Sequence, residues 1–241
     1  MGFPMPILAD LDDTLFDTTA RVQRCMKGEK LDWDCYLSEE YMSLDKPKQD
    51  VIGFIKSLNE PVYIASGRIR ERQGSTTTSQ LESLGLNVKG IYLKPESWKY
   101  AKESYWKARV AIWLTAHGVR INHVLDDNPT VLDSIANALK AFNASIPRLW
   151  LVNNGIREYN ASVNGIGWVR LDVDGDTLAS KCSPFGILRI ALAGDEYWAY
   201  ALDCPGASPQ SPSSVLIDVL SMRVRFGKRE YDWTSPTVDL A

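Results

Sequence analysis

The sequence has few of the residues from which zinc and redox sites are built. It contains only two histidines, and its four cysteines are widely separated, with no Cys-x-x-Cys pair. A zinc site is therefore not expected. The cysteines are predicted to be reduced, as in a cytosol-like compartment, so a cytoplasmic location is expected. These cysteines are Cys25, Cys35, Cys182 and Cys204.

The chain also lacks a long apolar run and an excess of positive charge. No stretch approaches the ~20 apolar residues of a membrane span, and the segment after Met1 has no features of a secretory signal. The net charge is −3, so the chain has no global basic field of the kind that drives nonspecific nucleic-acid binding. A length of 241 residues, 45% of them hydrophobic, suffices for one core or for one domain plus a smaller one.

Two carboxylates with one residue between them follow the first apolar run. Ile7 to Ala9 has the length and composition of a buried strand, and Asp10 and Asp12 come directly after it. Residues two apart point to the same side of a strand, so these carboxylates would repel unless a cation lies between them. Mg²⁺ prefers such oxygen ligands, and Thr14 offers a hydroxyl that could hold a phosphate oxygen. A solvated acidic turn is the alternative interpretation.

A second acidic pair, Asp126 and Asp127, ends a later apolar run. Adjacent carboxylates point in different directions, so one could bind the metal while the other braces a lysine or water. Which of the two is the direct ligand stays open. The alternative is the start of a helix, which explains Asn128 as a capping residue but explains Asp126 poorly.

Phosphoryl transfer to a carboxylate also needs a lysine that offsets negative charge. The candidates are Lys94, Lys99, Lys102 and Lys107, and a solvated surface lysine is the alternative interpretation of the last of these. Lys107 is preferred because it lies on the helix that leads to the second acidic pair. Glu103 lies one helical turn earlier and faces the same way.

Ser66, Gly67 and Arg68 follow a second apolar strand. A small hydroxyl and exposed backbone N–H groups at a strand end can hold a phosphoryl oxygen, and an arginine there can add positive charge toward a substrate. Alone, the tripeptide is a common turn with a solvated arginine. Its position after a second β unit favours a phosphate-binding role.

Short apolar strands alternate with helices from Ile7 to Val152, which predicts a mainly parallel sheet covered on both faces. Ligands bind outside the carboxyl ends of such strands, where the motifs above lie. Residues 155–241 are predicted to form a small β-rich appendage, so the expected domains are 1–154 and 155–241. The expected helices span residues 17–27, 48–59, 78–84, 101–116 and 129–142, and the expected strands of the appendage span 167–171, 186–193, 197–202 and 215–226.

The order and spacing of these motifs resemble those of the haloacid dehalogenase (HAD) superfamily of phosphotransferases. The resemblance implies a HAD-like Rossmannoid fold and a Mg²⁺-dependent phosphatase. In that family pattern Asp10 is the nucleophile, Asp12 is the general acid and base, and Ser66 binds phosphate. Asp10, Asp12, Asp126 and Asp127 are the residues implied for the metal.

A closer resemblance, over residues 6–152, is to the 3′-phosphatase domain of bacteriophage polynucleotide kinases and to similar short phage and bacterial HAD proteins. It depends on the segments 9–15, 32–34, 65–68, 106–113 and 125–127. It implies that Arg21 lies on the substrate side, and it places a phage-encoded protein in the host cytoplasm. The family commonly has Asp where Glu103 stands. The sequence has no Gly-x-x-x-x-Gly-Lys-[Ser/Thr] loop, so no kinase half is predicted.

Two alternatives to this substrate stay open. The short insert between the first two motifs predicts an open site, which favours a nucleic-acid 3′-phosphate or a nucleotide, but a 5′-nucleotide or small-molecule phosphatase also fits. A non-catalytic assembly or binding protein, with a protein contact through residues 155–241, is the alternative of another class.

Two further segments have competing interpretations. Residues 172–177 resemble a second acidic motif or the start of a Ca²⁺ loop, but Ser183 stands where an EF-hand needs glutamate. A turn between two strands is therefore preferred. Trp33, Tyr36 and Tyr41 are expected to form a small flap over the site. Ordinary packing is the preferred role of these rings, and base stacking is the alternative.

Overall fold

A six-stranded, mainly parallel sheet forms the centre of the protein. Its order is β6-β5-β4-β1-β2-β3, and all neighbouring pairs are parallel except β5 and β6. The strands are β1 (Ile7–Ala9), β2 (Val62–Ile69), β3 (Val88–Lys94), β4 (His123–Asp126), β5 (Arg148–Val152) and β6 (Ile156–Tyr159). The computed structural model describes residues 6–163, 165–174, 177–179, 182–210, 212, 215–218, 223–226 and 229–232.

Helices cover both faces of this sheet, as the alternating pattern predicts. They are α1 (Thr19–Arg24), α2 (Trp33–Tyr36), α3 (Gln49–Leu58), α4 (Arg70–Glu82), α5 (Glu103–Ala116) and α6 (Pro129–Ala141). Short 3₁₀ turns occur at Met42–Leu44, Glu96–Trp98 and Pro184–Gly186. No helix among the described residues is long and apolar enough to cross a membrane.

A second, antiparallel sheet follows in the chain, in the order β8-β7-β10-β9-β11. Its strands are β7 (Ile166–Asp174), β8 (Thr177–Ala179), β9 (Ile187–Ala193), β10 (Glu196–Leu202) and β11 (Val215–Asp218). A separate hairpin joins β12 (Arg223–Phe226) to β13 (Arg229–Asp232). Two-residue strands pair Phe16–Asp17 with Lys46–Pro47 and Met26–Lys27 with Lys30–Leu31.

Helix α5 is buried on nearly all sides because it lies between the two sheets. Trp106 and Val110 join an apolar cluster that includes Leu8 of the central sheet. Ala108 and Ile112 join another that includes Leu188 of the second sheet. A polar side chain on this helix is therefore held away from water, which matters for the lysine described below.

Several helix and strand boundaries differ from the sequence prediction, and three of these differences have a clear cause or bear on the site. Helix α4 begins at Arg70 rather than at residue 78, because polar residues and Gly74 hide its helical pattern. Strand β2 continues through Ser66–Arg68, which we placed after the strand. The strand predicted over 215–226 is described as two, with residues 219–222 outside the described residues.

The cysteine prediction was wrong. The structure joins Cys25 to Cys35 and Cys182 to Cys204 as disulfides. The two cysteines of each disulfide are 10 and 22 residues apart in the sequence, which is not a recognisable cysteine motif. Only the folded chain brings each pair together. The preferred interpretation of residues 172–177 agrees with the fold, since Asp174 lies opposite Thr177 in an antiparallel pair. Residues 175 and 176 lie outside the described residues.

Candidate active site

Three carboxylates meet at the carboxyl ends of the two middle strands. Strands β1 and β4 are neighbours, and the Asp10 backbone N–H donates to the Leu125 carbonyl over 3.0 Å. This register brings Asp10, Asp126 and Asp127 together, with one carboxylate oxygen of each within 4.8 Å of the others. Oxygen ligands at this spacing suit a hard divalent cation such as Mg²⁺.

Lys107 lies among these carboxylates. Its Nζ is 2.8 Å from Asp10 Oδ1, 2.6 Å from Glu103 Oε1 and 2.8 Å from Asp126 Oδ2. The side chain is only 2% exposed. Burial opposes the charged form, but the three carboxylates outweigh it and raise the pKa of Lys107 well above its ordinary value. The lysine is therefore a fixed positive charge beside Asp10.

The acidic group retains excess negative charge in spite of this lysine. Burial, reinforced by the other acids, raises the pKa of Asp10 well above its ordinary value. Burial also raises the pKa of Asp126 to about 6 and raises that of Asp127. One ammonium against four carboxylates, counting Glu103, leaves a deficit of positive charge that a divalent cation would fill. The donor set therefore fits a divalent metal ion.

Asp12 does not join that acidic group. Arg21 Nη2 and Arg68 Nη2 each lie 2.7 Å from Asp12 Oδ1, and Arg68 Nε donates to the same oxygen over 2.9 Å. Burial alone would raise the pKa of Asp12, but the two arginines lower it below its ordinary value. The arginines occupy the carboxylate of Asp12, and its role as a metal ligand stays a prediction.

Asp45 supports both arginines from beneath and was missed by the sequence analysis. Its Oδ1 lies 2.9 Å from Arg21 Nε, and its Oδ2 lies 3.1 Å from Arg68 Nη2. Tyr36 completes the surroundings, since its ring lies 4.3 Å from the Arg21 guanidinium and its hydroxyl donates to Asp12 Oδ2 over 3.3 Å. No local motif marks Asp45, which precedes Lys46 in an ordinary-looking loop.

Thr14 lies under the acidic group rather than beside the cavity. It is fully buried, and its Oγ1 lies 3.3 Å from Asp10 Oδ2 and 3.4 Å from Asp127 Oδ1. The chain reverses at Asp13, whose φ of 59° is left-handed and whose carboxylate accepts from Thr18. The hydroxyl that we predicted to hold a phosphate oxygen is therefore placed to orient two carboxylates.

The segment Ser66–Arg68 approaches the site through its backbone. The Gly67 N–H donates to Glu103 Oε1 over 3.2 Å, and the buried Ser66 hydroxyl accepts from the Arg68 N–H over 3.3 Å. A β-carbon added at Gly67 would lie 2.8 Å from the carboxyl carbon of Glu103. A side chain at position 67 would therefore force the Glu103 carboxylate to shift.

We expect Gly67→Ala to displace Glu103 from Lys107 and to lower stability by about 1 kcal/mol. Thermal unfolding measures the change. Gly74→Ala is the matched control, because a β-carbon at that helical position meets nothing within 4 Å. The control is expected to stabilise the protein by about 0.5–1 kcal/mol. Equal effects of the two substitutions would contradict the close approach at Gly67.

The pKa of Asp45 predicts a pH-dependent difference in stability. Burial raises the pKa of Asp45 to about 6, above its ordinary value of 3.8, despite Arg21 and Arg68. Between these values the folded state keeps a proton that the unfolded state releases, so this contribution to stability is lost as pH rises. The free energy of unfolding of the wild type minus that of Asp45→Asn should fall by roughly 2–3 kcal/mol between pH 4 and 6.

Urea unfolding of both proteins in metal-free buffer, at half-unit steps from pH 4 to pH 8, tests this prediction. The difference should be flat above about pH 6.5, where Asp45 is ionised in both states. Parallel stability curves across the whole range would show that the pKa of Asp45 is not raised by folding.

The acidic group and Arg68 open into one cavity of about 570 Å³. Asp10, Asp126 and Lys107 line its inner part together with Gly67 and Arg68. Trp33, Tyr36, Lys99 and Tyr100 line it as well. The volume falls in the range of about 300–1,000 Å³ typical of small-molecule sites. It therefore has room for more than a phosphate group.

No known protein-family profile and no curated protein matches the chain. Two solved structures contain similar chains. One is described as the Pnkp1/Rnl/Hen1 RNA repair complex and the other as the Pnkp1/Rnl/Hen1 complex. The first has 18% identity and a TM-score of 0.41, covering 63% of this chain and 43% of its own. The second has 18% identity and a TM-score of 0.44, covering 63% and 46% respectively. The chain thus spans less than half the length of either neighbour.

Proposed function

We propose that this protein is a Mg²⁺-dependent phosphomonoesterase of the HAD type that works through an aspartyl-phosphate. The supporting observation is the meeting of Asp10 with Lys107 and the second acidic pair at adjacent strand ends. We assign this activity to residues 1–154, and we assign a separate role to the β-rich residues 155–241, whose first strand, β6, completes the central sheet.

The metal would be held by Asp10, Asp126 and Asp127, whose carboxylate oxygens converge. When bound, Mg²⁺ would offset the charge of the acids and of the phosphoryl oxygens. Lys107 provides positive charge beside both Asp10 and Asp126. Thr14 and Glu103 fix the orientation of these groups through the contacts described above.

In the first step a carboxylate oxygen of Asp10 attacks phosphorus, and the bond from phosphorus to the leaving oxygen breaks. Asp12, in its protonated form, gives its proton to that leaving oxygen. Without substrate, Arg21 and Arg68 favour the ionised form of Asp12. A phosphate dianion competes for Arg21 and Arg68, and this competition would raise the pKa of Asp12 toward that of a useful acid.

In the second step Asp12, now a carboxylate, takes a proton from water as that water attacks phosphorus. The bond between phosphorus and the Asp10 oxygen breaks, which releases inorganic phosphate and regenerates both aspartates. Lys107 and the Ser66 hydroxyl, the phosphate-binding group that the family resemblance implies, offset the charge that develops on the phosphoryl oxygens. Phosphate monoesters need accelerations of up to ~10²¹-fold, so this concentration of charge has a clear purpose.

The substrate class that we favour is a nucleic-acid 3′-phosphate or a nucleotide. The wide cavity and the short segment between the first two motifs support a bulky phosphoester. A Mg²⁺-stimulated release of phosphate from a 3′-phosphorylated oligonucleotide, a nucleotide or a small ester tests the proposal in a panel. Loss of release after chelation with EDTA is the expected companion result.

The main competing function is that of a binding or assembly protein, with a protein contact through residues 155–241. It predicts no Mg²⁺-stimulated release from any member of the panel. The buried Lys107 among four acids favours the enzyme, because a binding scaffold has no need of such a costly charge cluster. An inert panel would reverse this preference.

A further inference from the structure

Two strongly exposed aromatic side chains line the same cavity as the acidic group. Trp33 is 60% exposed and Tyr100 is 90% exposed, the highest values among the exposed large hydrophobic residues of the described chain. We propose that these two rings form a site for the nucleobase of the substrate. This inference rests on the proposed function, since it takes the phosphate of the same molecule to be held at Asp10.

Trp33 is held in place although its ring faces solvent. The disulfide from Cys25 to Cys35 ties helix α2 to the end of α1. The Asp32 side chain caps α2 by accepting from the backbone of Asp34 and Cys35. The Trp33 ring then packs edge-on against Tyr36, with 5.9 Å between centroids and an angle of 88°.

Tyr100 projects from a loop that is also anchored. Trp98, two residues earlier, is buried in the main core. Lys94 lies beneath the loop, is 6% exposed, and donates to the Ala101 carbonyl over 2.9 Å. Burial lowers the pKa of Lys94, so placing a lysine there is costly. The backbone of this loop is thus well fixed while the Tyr100 side chain is left exposed.

An ion pair joins the two aromatic segments. Asp34 Oδ1 lies 2.5 Å from Lys99 Nζ, and each of these residues is the sequence neighbour of one exposed ring. Arg72 of helix α4 adds a second contact to Asp34 Oδ1 over 3.4 Å. The helix and the loop are therefore linked at the cavity, and Trp33 and Tyr100 are presented together.

The two rings are better suited to contact the nucleobase of the substrate than its phosphate group. Charged groups fill the inner cavity, whereas flat apolar faces lie exposed among its outer residues. Every base has a π-face, so stacking on aromatic rings binds bases without reading their sequence. Tyr36 links the two regions directly, because it contacts Trp33 through its ring and Asp12 through its hydroxyl. A substrate that fills both regions carries a phosphate and an aromatic base.

Comparison of two esters tests this site. The value of kcat/KM for adenosine 3′-monophosphate should exceed that for base-free ribose 3-phosphate. Trp33→Ala and Tyr100→Ala should each lower the value for the nucleotide by about tenfold, with a smaller change for the base-free ester. Trp33→Phe should keep most of the wild-type value, since it retains a ring. Ile146→Ala removes an exposed apolar side chain that does not line the cavity and is the control.

Calorimetric titration with adenosine 3′-monophosphate at low temperature separates this inference from the proposed function. If binding weakens in the two alanine variants but no hydrolysis is seen, the base site is supported and the proposed phosphatase activity is contradicted. If both esters are hydrolysed with equal kcat/KM, and neither alanine substitution changes that value, the phosphatase activity is supported and the base site is overturned. Equal effects on both esters would also overturn it, because they indicate contact with the sugar. Thermal melts of the variants confirm folding, and the exposed Tyr100 is not needed for it.

Discussion

Replacement of Asp10 by asparagine is expected to lower phosphate release by at least about 10³-fold, because the nucleophilic oxygen is lost while the fold is kept. Asparagine has the same shape, and burial already disfavours the ionised form of Asp10. Single-turnover release from a 3′-phosphorylated oligonucleotide measures the effect. Asp50→Asn, at an exposed aspartate of helix α3, is the matched control and should retain the wild-type rate.

The same variant should also respond less to magnesium. The wild type is expected to gain thermal stability when Mg²⁺ is added, since a ligand that binds only the folded state stabilises it. Asp10→Asn removes one of three converging carboxylates and should reduce that gain. An Asp10→Asn protein with wild-type turnover would exclude this residue as the nucleophile.

Replacement of Lys107 by methionine is expected to have the largest effect on stability. The substitution leaves Asp10 and Asp126 buried without their shared cation, and Glu103 loses its partner 2.6 Å away. Removal of one partner from a buried charge cluster costs about 3–5 kcal/mol. Urea unfolding in EDTA measures this loss, and Mg²⁺ should restore part of it by supplying positive charge. Phosphate release should also fall strongly, because Lys107 offsets charge beside the nucleophile.

Lys102→Met is the control for this experiment. Lys102 is 64% exposed and lies 3.6 Å from Asp203 on the surface. Exposed ion pairs contribute about 0–1 kcal/mol, so the control should unfold almost like the wild type. A Lys107→Met protein as stable in EDTA as the control would contradict the placement of Lys107 among the acids.

The central sheet and most of the acidic group could be predicted because short stretches of sequence mark them. Short apolar runs that end in acids mark parallel strands, and adjacent strands bring their carboxyl ends together. The preference for Lys107 over three other lysines followed from helical spacing and agrees with its position beside Asp10. The four aspartates at these strand ends were therefore identified, although Asp12 faces arginines instead of the acidic group.

Other features could not be predicted because they depend on distant contacts. Asp45 pairs with Arg21 and Arg68 only after the loop that carries it folds over strand β2. The two disulfides arise in the same way. Helix α5 is apolar on opposite sides because two sheets enclose it, and the sequence alone did not indicate how the second sheet packs. No sequence motif marks Tyr100, and only the folded structure shows that it is exposed in the same cavity as Trp33.

Chemical trapping of the phosphorylated protein tests the central proposal most directly. The protein is mixed with Mg²⁺ and excess 3′-phosphorylated oligonucleotide, quenched in acid, and reduced with borohydride, which converts an aspartyl-phosphate to homoserine. Peptide mass spectrometry then locates the change. Homoserine at position 10 in the wild type, and its absence from the Asp10→Asn protein, is the predicted result. Rapid phosphate release with an unmodified Asp10, or with the change at another residue, would contradict the account.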